Sequence, residues 1–233
     1  MEMERYQHEV LRTFALTHNY NSWIISMLKP YLGKNILEIG CGIGNLTFYL
    51  TKLGKLTCLD KSQSFIQHMK IDYPDIDFFD TDIAGAGNEI LRLKEKNIDS
   101  IVCVNVLEHI EDDTKALENM YKILQPGGKL LVFVPALPLL YGSLDKNLDH
   151  FRRYSKKELV DKLEKQKFTI EKVKYNNFVG VFGWFINSRI LGRKEFPILQ
   201  PIIFDKFIPI ITKIEKLFKI PFGMNLLIIA NKP

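Results

Sequence analysis

The feature that most constrains the fold is a glycine-rich loop that directly follows a short apolar run. Residues 35–39 read as a buried strand, and Gly40, Gly42 and Gly44 follow at alternate positions. Glycines let a chain turn tightly out of a strand and bring its backbone against a ligand. The pattern therefore predicts a strand, a glycine loop and a helix, which is the opening unit of an α/β sheet.

The spacing of this loop distinguishes between classes of ligand. A dinucleotide-binding GxGxxG loop would place a third small residue where Asn45 stands, whereas here the third glycine comes one position earlier. An acid, Glu38, lies two residues before the first glycine. A carboxylate there suits a ligand with a positively charged amino group and a sulfonium, not a pyrophosphate. A plain tight turn is the alternative interpretation of the glycines alone.

Two further acids follow later apolar runs. Asp60 ends a second predicted strand, 55–60, at a distance from Gly40 where a carboxylate can accept both hydroxyls of a ribose. Asp82 follows a third predicted strand, at about 76–79, and is placed to accept from an adenine amino group. Helix capping or surface solvation is the alternative role for Asp82.

Helical and apolar segments alternate along most of the chain. Helices are predicted at 4–32, 112–124 and 155–166, and further strands at 99–105, 129–134, 168–175 and 225–230. Such short alternation favours a doubly wound α/β fold. We therefore expect a seven-stranded, mostly parallel sheet with helices on both faces, an antiparallel edge strand and a C-terminal helical insertion.

Several motifs together resemble the class I S-adenosylmethionine-dependent methyltransferases of the small-molecule type. They are ILEIGCGIGNLT, LTCLD, TDI, VNVLEHIEDD and LQPGGKLLVFVPA, and they occur in the family's order. The resemblance implies a Rossmann-like fold, with S-adenosyl-L-methionine as methyl donor and S-adenosyl-L-homocysteine as product. The residues that it assigns to the cofactor are Glu38, Gly40, Gly42 and Gly44 at the methionine part, Asp60 at the ribose, Asp82 with Ile83 at the adenine, and Asn105 near the methionine amino group. Glu108 and His109 are secondary candidates.

A second resemblance lies beyond the cofactor motifs. The stretch 140–159 resembles the H-x-R-x-Y-x-x-x-E-L segment of many small-molecule methyltransferases, which implies that His150, Arg152 and Tyr154 lie beside the acceptor. His150 is then a candidate base or a positioning group. Arg152 and Arg153 can bind phosphate or carboxylate through forked donors, and either can face inward. The alternative is a structural histidine beside solvated arginines.

The charge is divided unevenly between the two halves of the chain. Residues 1–145 carry a net charge of −5, and residues 146–233 carry +10. Within the basic half, residues 184–223 are rich in Ile, Phe and Pro, yet their longest charge-free run is nine residues, well below the roughly 18–20 needed to cross a bilayer. This insertion could be a packed cover, a lid, a dimer contact or a segment resting on anionic lipid.

The remaining features bear on compartment and domains. The N-terminus lacks the basic-then-apolar order of a secretory signal, and Cys41, Cys58 and Cys103 have no CxxC spacing. We therefore expect reduced thiols, a cytoplasmic protein that can lie peripherally at the inner membrane surface, and no metal site. The expected organisation is a helical cap at 1–34 and a methyltransferase domain at 35–233. That domain is divided into a cofactor-binding core (35–135), an acceptor-side segment (136–183) and the insertion (184–223).

The function predicted from the sequence is methyl transfer by in-line displacement to a small-molecule acceptor, on oxygen. The basic half and the insertion suggest an anionic or lipid-linked glycan acceptor, and a homodimer is a further expectation. A nucleic-acid methyltransferase is the main alternative, prompted by a pI of 8.9. Against it, the fourth strand ends in Asn105-Val-Leu-Glu108, not in the N/D-P-P-Y/F typical of base-methylating enzymes. The same fold would also suit a non-catalytic scaffold or a nicotinamide oxidoreductase.

Overall fold

The computed structural model describes residues 2–86, 88–195, 199–218 and 220–233. Residues 196–198, which begin the charge-free run of the insertion, lie outside the described residues. Within the described ranges the strands are β1 (Asn35–Ile39), β2 (Lys55–Asp60), β3 (Asp77–Asp80), β4 (Ser100–Val104), β5 (Lys129–Pro135), β6 (Thr169–Asn176) and β7 (Asn225–Asn231).

Helices surround these strands over the same described ranges. The α-helices are α1 (Glu2–Ala15), α2 (His18–Leu28), α3 (Thr47–Leu50), α4 (Gln63–Asp72), α5 (Asn88–Lys94), α6 (Asp113–Ile123), α7 (Ser143–Asn147), α8 (Lys156–Lys165), α9 (Phe178–Trp184), α10 (Leu199–Asp205) and α11 (Ile208–Leu217). The 3₁₀ turns are Lys29–Tyr31, Leu107–His109 and Pro138–Leu140, and a π-helix covers Phe185–Ile190.

The strands form one seven-stranded sheet in the order β3-β2-β1-β4-β5-β7-β6. Strands β3, β2, β1, β4 and β5 pair in parallel, and the edge strand β6 pairs antiparallel with β7. The expected mostly parallel sheet with antiparallel pairing at its edge is confirmed. The strand that runs against the others is β7, one place in from the edge, because β7 also pairs antiparallel with β5.

Both faces of the sheet are covered, as the near-continuous apolar strands predict. Alternate residues of one strand belong to different cores: Leu37 packs with the layer formed by α5, α6 and α8, and Ile36 with the layer formed by α2, α3 and α4. Neither side chain is exposed to solvent. This two-sided burial leaves the ends of the strands as the places where a ligand can approach.

The helix expected over 4–32 is interrupted. α1 ends at Ala15 and α2 begins at His18, with the Thr17 hydroxyl donating to the Phe14 carbonyl oxygen at 2.7 Å. The second helix starts where Asp205, far away in the sequence, accepts from the backbone N–H groups of Asn19 and Tyr20 at 3.2 and 2.7 Å. A long-range acceptor of this kind leaves no local sequence signal.

The insertion is helical and packs on the N-terminal helices. α9 continues directly into the π-helix, so the predicted boundary between the acceptor-side segment and the insertion falls inside one helical stretch. α10 contacts α1 and α2, and α11 contacts α2. Among the described residues, no helix is both long and apolar enough to cross a membrane. All three cysteines are buried and free of disulfides.

Candidate active site

A cavity of about 760 Å³ opens at the carboxyl ends of β1 and β4. In open α/β sheets ligands bind at this end of the strands, where the strand order reverses. The order here reverses between β1 and β4. The walls of the cavity come from the glycine loop, the turn after β4, the segment around His150, α1, α2, and the helices of the insertion. One space therefore joins three of the predicted cofactor residues, Glu38, Gly40 and Asn105, to one of the predicted acceptor residues, His150.

The glycine loop approaches its neighbours closely at Gly40. Its φ of 71° lies in the left-handed region, and a Cβ built there would lie 2.3 Å from Cγ2 of Val106. Neither condition admits a larger residue without displacing the loop. Gly40 lines the cavity, whereas Gly42 and Gly44 are not among the described lining residues. The Gly42 N–H instead donates to Asp60.

Glu38 is a buried carboxylate at the wall of the cavity, with 3% of its surface exposed. Burial raises its pKa to about 7, although hydrogen bonds from Thr47 and Cys58 oppose the rise. The Thr47 hydroxyl donates to Oε2 at 2.6 Å. No cationic side chain within the described ranges forms an ion pair with it. A buried carboxyl of this kind is suited to a positively charged ligand.

Asp60 and Asp82 occupy the expected ends of β2 and β3 but lie outside the described cavity wall. Asp60 is buried, and its two oxygens accept from the N–H groups of Gly42 and Ser62 at 2.8 and 2.9 Å. Asp82 is exposed and accepts from the N–H of Ala84. Ile83 is buried in the core. Their contacts with ribose and adenine stay predictions.

Asn105 ends β4 in a left-handed conformation, with φ 52°, a region that asparagine tolerates better than most residues. Its N–H donates to the Phe133 carbonyl oxygen at 2.8 Å, and the residue lines the cavity. This turn carries Glu108 and His109 to the cavity wall as well. The predicted contact of Asn105 with the methionine amino group is compatible with this position.

The structure distinguishes between the two adjacent arginines. Arg153 lines the cavity; its Nε donates to Asp145 Oδ1 at 2.7 Å, and its Nη2 finds no partner among the described residues. Arg152 points away, pairs with Asp113 at 2.8 Å and donates to the Glu111 carbonyl oxygen. The sequence allows either arginine to face inward, and Arg153 is the one that lines the cavity, because Asp113 holds Arg152 outside the described wall. A contact of either arginine with an acceptor stays a prediction.

Tyr154, also predicted beside the acceptor, likewise lies outside the described cavity wall. Its side chain is fully buried in the core, and the hydroxyl donates to Asp113 Oδ2 at 2.8 Å and contacts the Leu107 carbonyl oxygen at 3.2 Å. Burial and the Asp113 charge both raise the pKa of Tyr154 above its ordinary value. Tyr154 therefore fixes the segment onto the sheet, where its backbone bridges Ala136, and does not reach the cavity.

His150 does line the cavity, and an acid orients it. Its Nδ1 lies 3.0 Å from Asp145 Oδ1, and only 8% of its side chain is exposed. Asp145 is fully buried and also accepts from the Trp184 indole N–H at 3.1 Å. Burial opposes ionisation of Asp145, but His150 and Arg153 together lower its pKa. Asp145 thus holds His150, Arg153 and Trp184 together at the cavity, a role that no sequence motif indicates.

Glu108 and His109 complete this side of the wall. Burial raises the pKa of Glu108 to about 7, with His150 and Arg153 opposing the rise. Burial and the neighbouring His150 lower the pKa of His109 to about 3. Both residues are only secondary candidates by sequence, yet both line the cavity beside His150. The His109 and His150 rings meet edge to face, with their centroids 4.6 Å apart.

Comparison with known proteins identifies the class that this fold and site define. Residues 37–132 match the methyltransferase domain family. A protein of Mycolicibacterium smegmatis named as a probable S-adenosylmethionine-dependent methyltransferase is 28% identical over 142 residues, 60% of this chain and 53% of that protein. The ubiquinone biosynthesis O-methyltransferase of Coxiella burnetii is 35% identical over 103 residues, 42% of each chain. The chain thus spans about half the length of the curated relatives it matches.

Solved structures support the same fold. An S-adenosylmethionine-dependent methyltransferase of Thermotoga maritima superposes with a TM-score of 0.67 at 18% identity, covering 99% of this chain and 97% of the other. One from Archaeoglobus fulgidus gives a TM-score of 0.60 at 18% identity, covering 91% and 94%. Residues 37–132 thus form a methyltransferase domain with the fold of S-adenosylmethionine-dependent methyltransferases, and S-adenosylmethionine is its cofactor.

Proposed function

We propose that the protein transfers a methyl group from S-adenosylmethionine to an oxygen of a small anionic or lipid-linked acceptor, such as a glycan intermediate, at the cytoplasmic surface of a membrane. The observation that carries the proposal is the lining of the cavity. One cavity wall includes Glu38 and Gly40, His150 and Arg153, and exposed apolar side chains of the insertion.

The cofactor end of the cavity fits the donor. When bound, S-adenosylmethionine supplies an electrophilic methyl group on a sulfonium, so the protein mainly has to align the acceptor oxygen with it. Glu38 offers a buried carboxyl to the positive charge of the donor. Because Gly40 has no side chain, the backbone of the loop can lie directly against the donor. The volume of about 760 Å³ is within the range of ligand pockets.

The acceptor end presents groups suited to an oxyanion or hydroxyl. The unpartnered Nη2 of Arg153 is a buried donor at the cavity wall, and a carboxylate or phosphate of the acceptor would satisfy it. His150, held by Asp145, is placed to orient an acceptor hydroxyl or to take its proton. The C. burnetii relative named as an O-methyltransferase adds support for oxygen as the methylated atom.

The mouth of the cavity is apolar and exposed. Five side chains both line the cavity and expose 46–57% of their surface, and we call them the apolar rim: Phe182, Ile186, Leu191, Ile203 and Phe207. They belong to α9, the π-helix and the insertion, in the half of the chain that carries +10. Apolar side chains surrounded by cations suit an anionic membrane surface. The proposed acceptor would then enter from the lipid.

Vesicle flotation tests the membrane part of the proposal. Wild-type protein is expected to float with phosphatidylglycerol vesicles and less with phosphatidylcholine vesicles. Removing two rim side chains in Ile203→Ser/Phe207→Ser should weaken binding roughly 10-fold or more, since each large apolar side chain contributes about 1.5–3 kcal/mol when buried. The matched control is Ile71→Ser, an exposed isoleucine on α4 outside the insertion. Wild-type protein that stays at the bottom of the gradient rejects the membrane surface.

Transfer of a tritiated methyl group tests the reaction. The donor is S-adenosyl-[methyl-³H]methionine, and the acceptors are an organic extract of lipid-linked glycans and, separately, water-soluble sugar phosphates. We expect alkali-stable label in the organic extract. Label in added RNA or DNA instead would favour a nucleic-acid methyltransferase, and a dimer formed through the rim, seen by sedimentation and lost in the Ile203→Ser/Phe207→Ser variant, would assign the rim to a second copy.

A further inference from the structure

Three side chains of metal-ligand type lie together in the cavity. One ligating atom from each of Glu108, His109 and His150 lies within 4.8 Å of the other two, and all three residues line the cavity wall. Glu108 and His109 come from the turn after β4, whereas His150 comes from the segment that follows α7. The fold thus assembles a set that no single sequence motif contains.

The Glu108 carboxylate is left without a partner. Only 1% of the residue is exposed, and neither carboxylate oxygen forms a hydrogen bond with another described residue. Burying a carboxyl without a hydrogen bond or counter-charge is costly, and such groups in native proteins usually have a functional reason. A cation bound between Glu108 and the two histidines would provide the missing partner.

Both histidines are oriented as metal-binding histidines usually are. Nδ1 of His150 is engaged by Asp145 Oδ1 at 3.0 Å, which leaves Nε2 for a ligand. The His109 ring bonds the backbone of Asp149. Metal-ligating imidazoles typically donate their second nitrogen to a carboxylate or a backbone carbonyl, which fixes the ring. The cluster therefore has outer partners as well as ligands.

The local charges also suit a divalent cation. Two cationic side chains act on the cluster: Lys61 on His109, and Arg153 on Glu108. Asp145 already pairs with Arg153 at 2.7 Å. Glu108 therefore has no ion-pair partner within the described ranges. Two imidazoles and one carboxylate are a set used for divalent transition metals, with ligand distances of about 2.0–2.2 Å for Zn²⁺. Atoms within 4.8 Å of each other reach such distances through small side-chain rotations.

We propose that Glu108, His109 and His150 bind a divalent transition-metal cation of the Zn²⁺ class in the cavity. Three protein ligands leave a coordination position for an oxygen of a ligand. That this oxygen belongs to the methyl acceptor rests on the proposed function. With the ion bound, both ring nitrogens of His150 are taken, so His150 acts on the acceptor through the metal and not as its base. The expectation of no metal site rested on the three cysteines, which take no part here.

Cobalt binding tests the site without donor or acceptor. Protein treated with a chelator is dialysed against Co²⁺, and bound metal is measured by elemental analysis and by the visible absorption of the ion. We expect one Co²⁺ per chain, displaced by Zn²⁺. Glu108→Gln, His109→Ala and His150→Ala should each lower the affinity by at least the roughly 10–100-fold that loss of an outer partner costs.

The control is His68→Ala, an exposed histidine on α4 outside the cluster, which should bind Co²⁺ as the wild type does. Titration with S-adenosylhomocysteine checks that each variant is folded, and the two histidine variants decide the matter if Glu108→Gln does not fold. Binding well below one ion per chain, or equal binding by all variants, overturns the metal site. A wild type that binds Co²⁺ but transfers no methyl group would refute the proposed function alone.

Discussion

The cofactor end and the acceptor end of the cavity are assembled from different kinds of sequence. Glu38, Gly40 and Asn105 lie within or directly after two neighbouring strands, so the sheet alone brings them together. Arg153 and Trp184 meet at Asp145 from segments that no strand order connects. The first end follows from the local sequence pattern of strands and the residues that end them. The second depends on a buried polar network whose members lie in the C-terminal part of the chain.

This difference has a physical consequence for how each end fails. A change in the glycine loop displaces backbone that must approach the donor, and the sheet beneath it is expected to survive. A change in the Asp145 network leaves a buried charge without a partner, so the fold itself is destabilised. The following variants separate these outcomes.

The largest effect is expected for Asp145→Asn. Both Asp145 and Arg153 have fully buried side chains in their 2.7 Å ion pair. Removing the charge of one partner in a buried pair costs about 3–5 kcal/mol, measured here as a fall in the free energy of unfolding in urea. Asp161→Asn breaks an exposed pair with Lys157 and should change stability by no more than about 1 kcal/mol. Equal midpoints for the two variants would contradict the proposed role of Asp145.

The second effect compares two glycines of similar backbone conformation. In Gly40→Ala the new Cβ would meet Val106 at 2.3 Å, whereas Gly127 has a φ of 76° and nothing within 4 Å of its Cβ position. A misplacement of about 1 Å costs roughly 100-fold in rate, so turnover should fall by about that factor, and affinity for S-adenosylhomocysteine should fall as well. Calorimetric titration measures it. Gly127→Ala should keep wild-type affinity; the same loss in both variants would show that the effect is global.

A third prediction concerns pH. Burial raises the pKa of Glu38 to about 7, so in the ligand-free protein this carboxyl ionises only as the pH rises through that value. A positively charged donor favours the ionised form, and therefore affinity for S-adenosylmethionine should increase between about pH 6 and 8, by up to roughly 10-fold for one pKa unit. Proton release on binding, measured by calorimetry in two buffers, checks this. Glu38→Gln should bind more weakly and without that pH dependence; a wild type insensitive to pH would refute the assignment.

The smallest effect is expected at the contact between the insertion and α2. Asp205 accepts from the N–H groups of Asn19 and Tyr20, and losing such a cap costs about 0.5–2 kcal/mol. Asp205→Ala should speed amide exchange in the first turn of α2, while Asp205→Asn, which keeps an acceptor oxygen, should restore part of the protection. Unchanged amide exchange in Asp205→Ala would mean that contacts other than those of Asp205 hold the insertion on α2.

The same contrast explains how much the sequence could predict. The sheet, its order of strands and helices, and the positions of Glu38, Gly40 and Asn105 followed from apolar runs and the residues that end them. The inward arginine did not, because Arg152 and Arg153 are adjacent and only Asp113 and Asp145 decide which one turns to the cavity.

Tyr154 shows a second limit of sequence reasoning. The family resemblance implied that it lies beside the acceptor, but its hydroxyl donates to Asp113, which lies 41 residues away in the chain. Such a partner is visible only once α6 has packed on the sheet. The grouping of Glu108 with His150 was hidden for the same reason.

The central claim is that one cavity holds the methyl donor at β1 and the acceptor at His150 and Arg153. A crystal structure of the protein with S-adenosylhomocysteine tests it most directly. We predict the methionine part against Glu38 and Gly40, the ribose toward Asp60, and the sulfur facing the side of the cavity formed by His150. A nucleoside bound outside this cavity, or one whose sulfur faces away from His150 and Arg153, would contradict the claim.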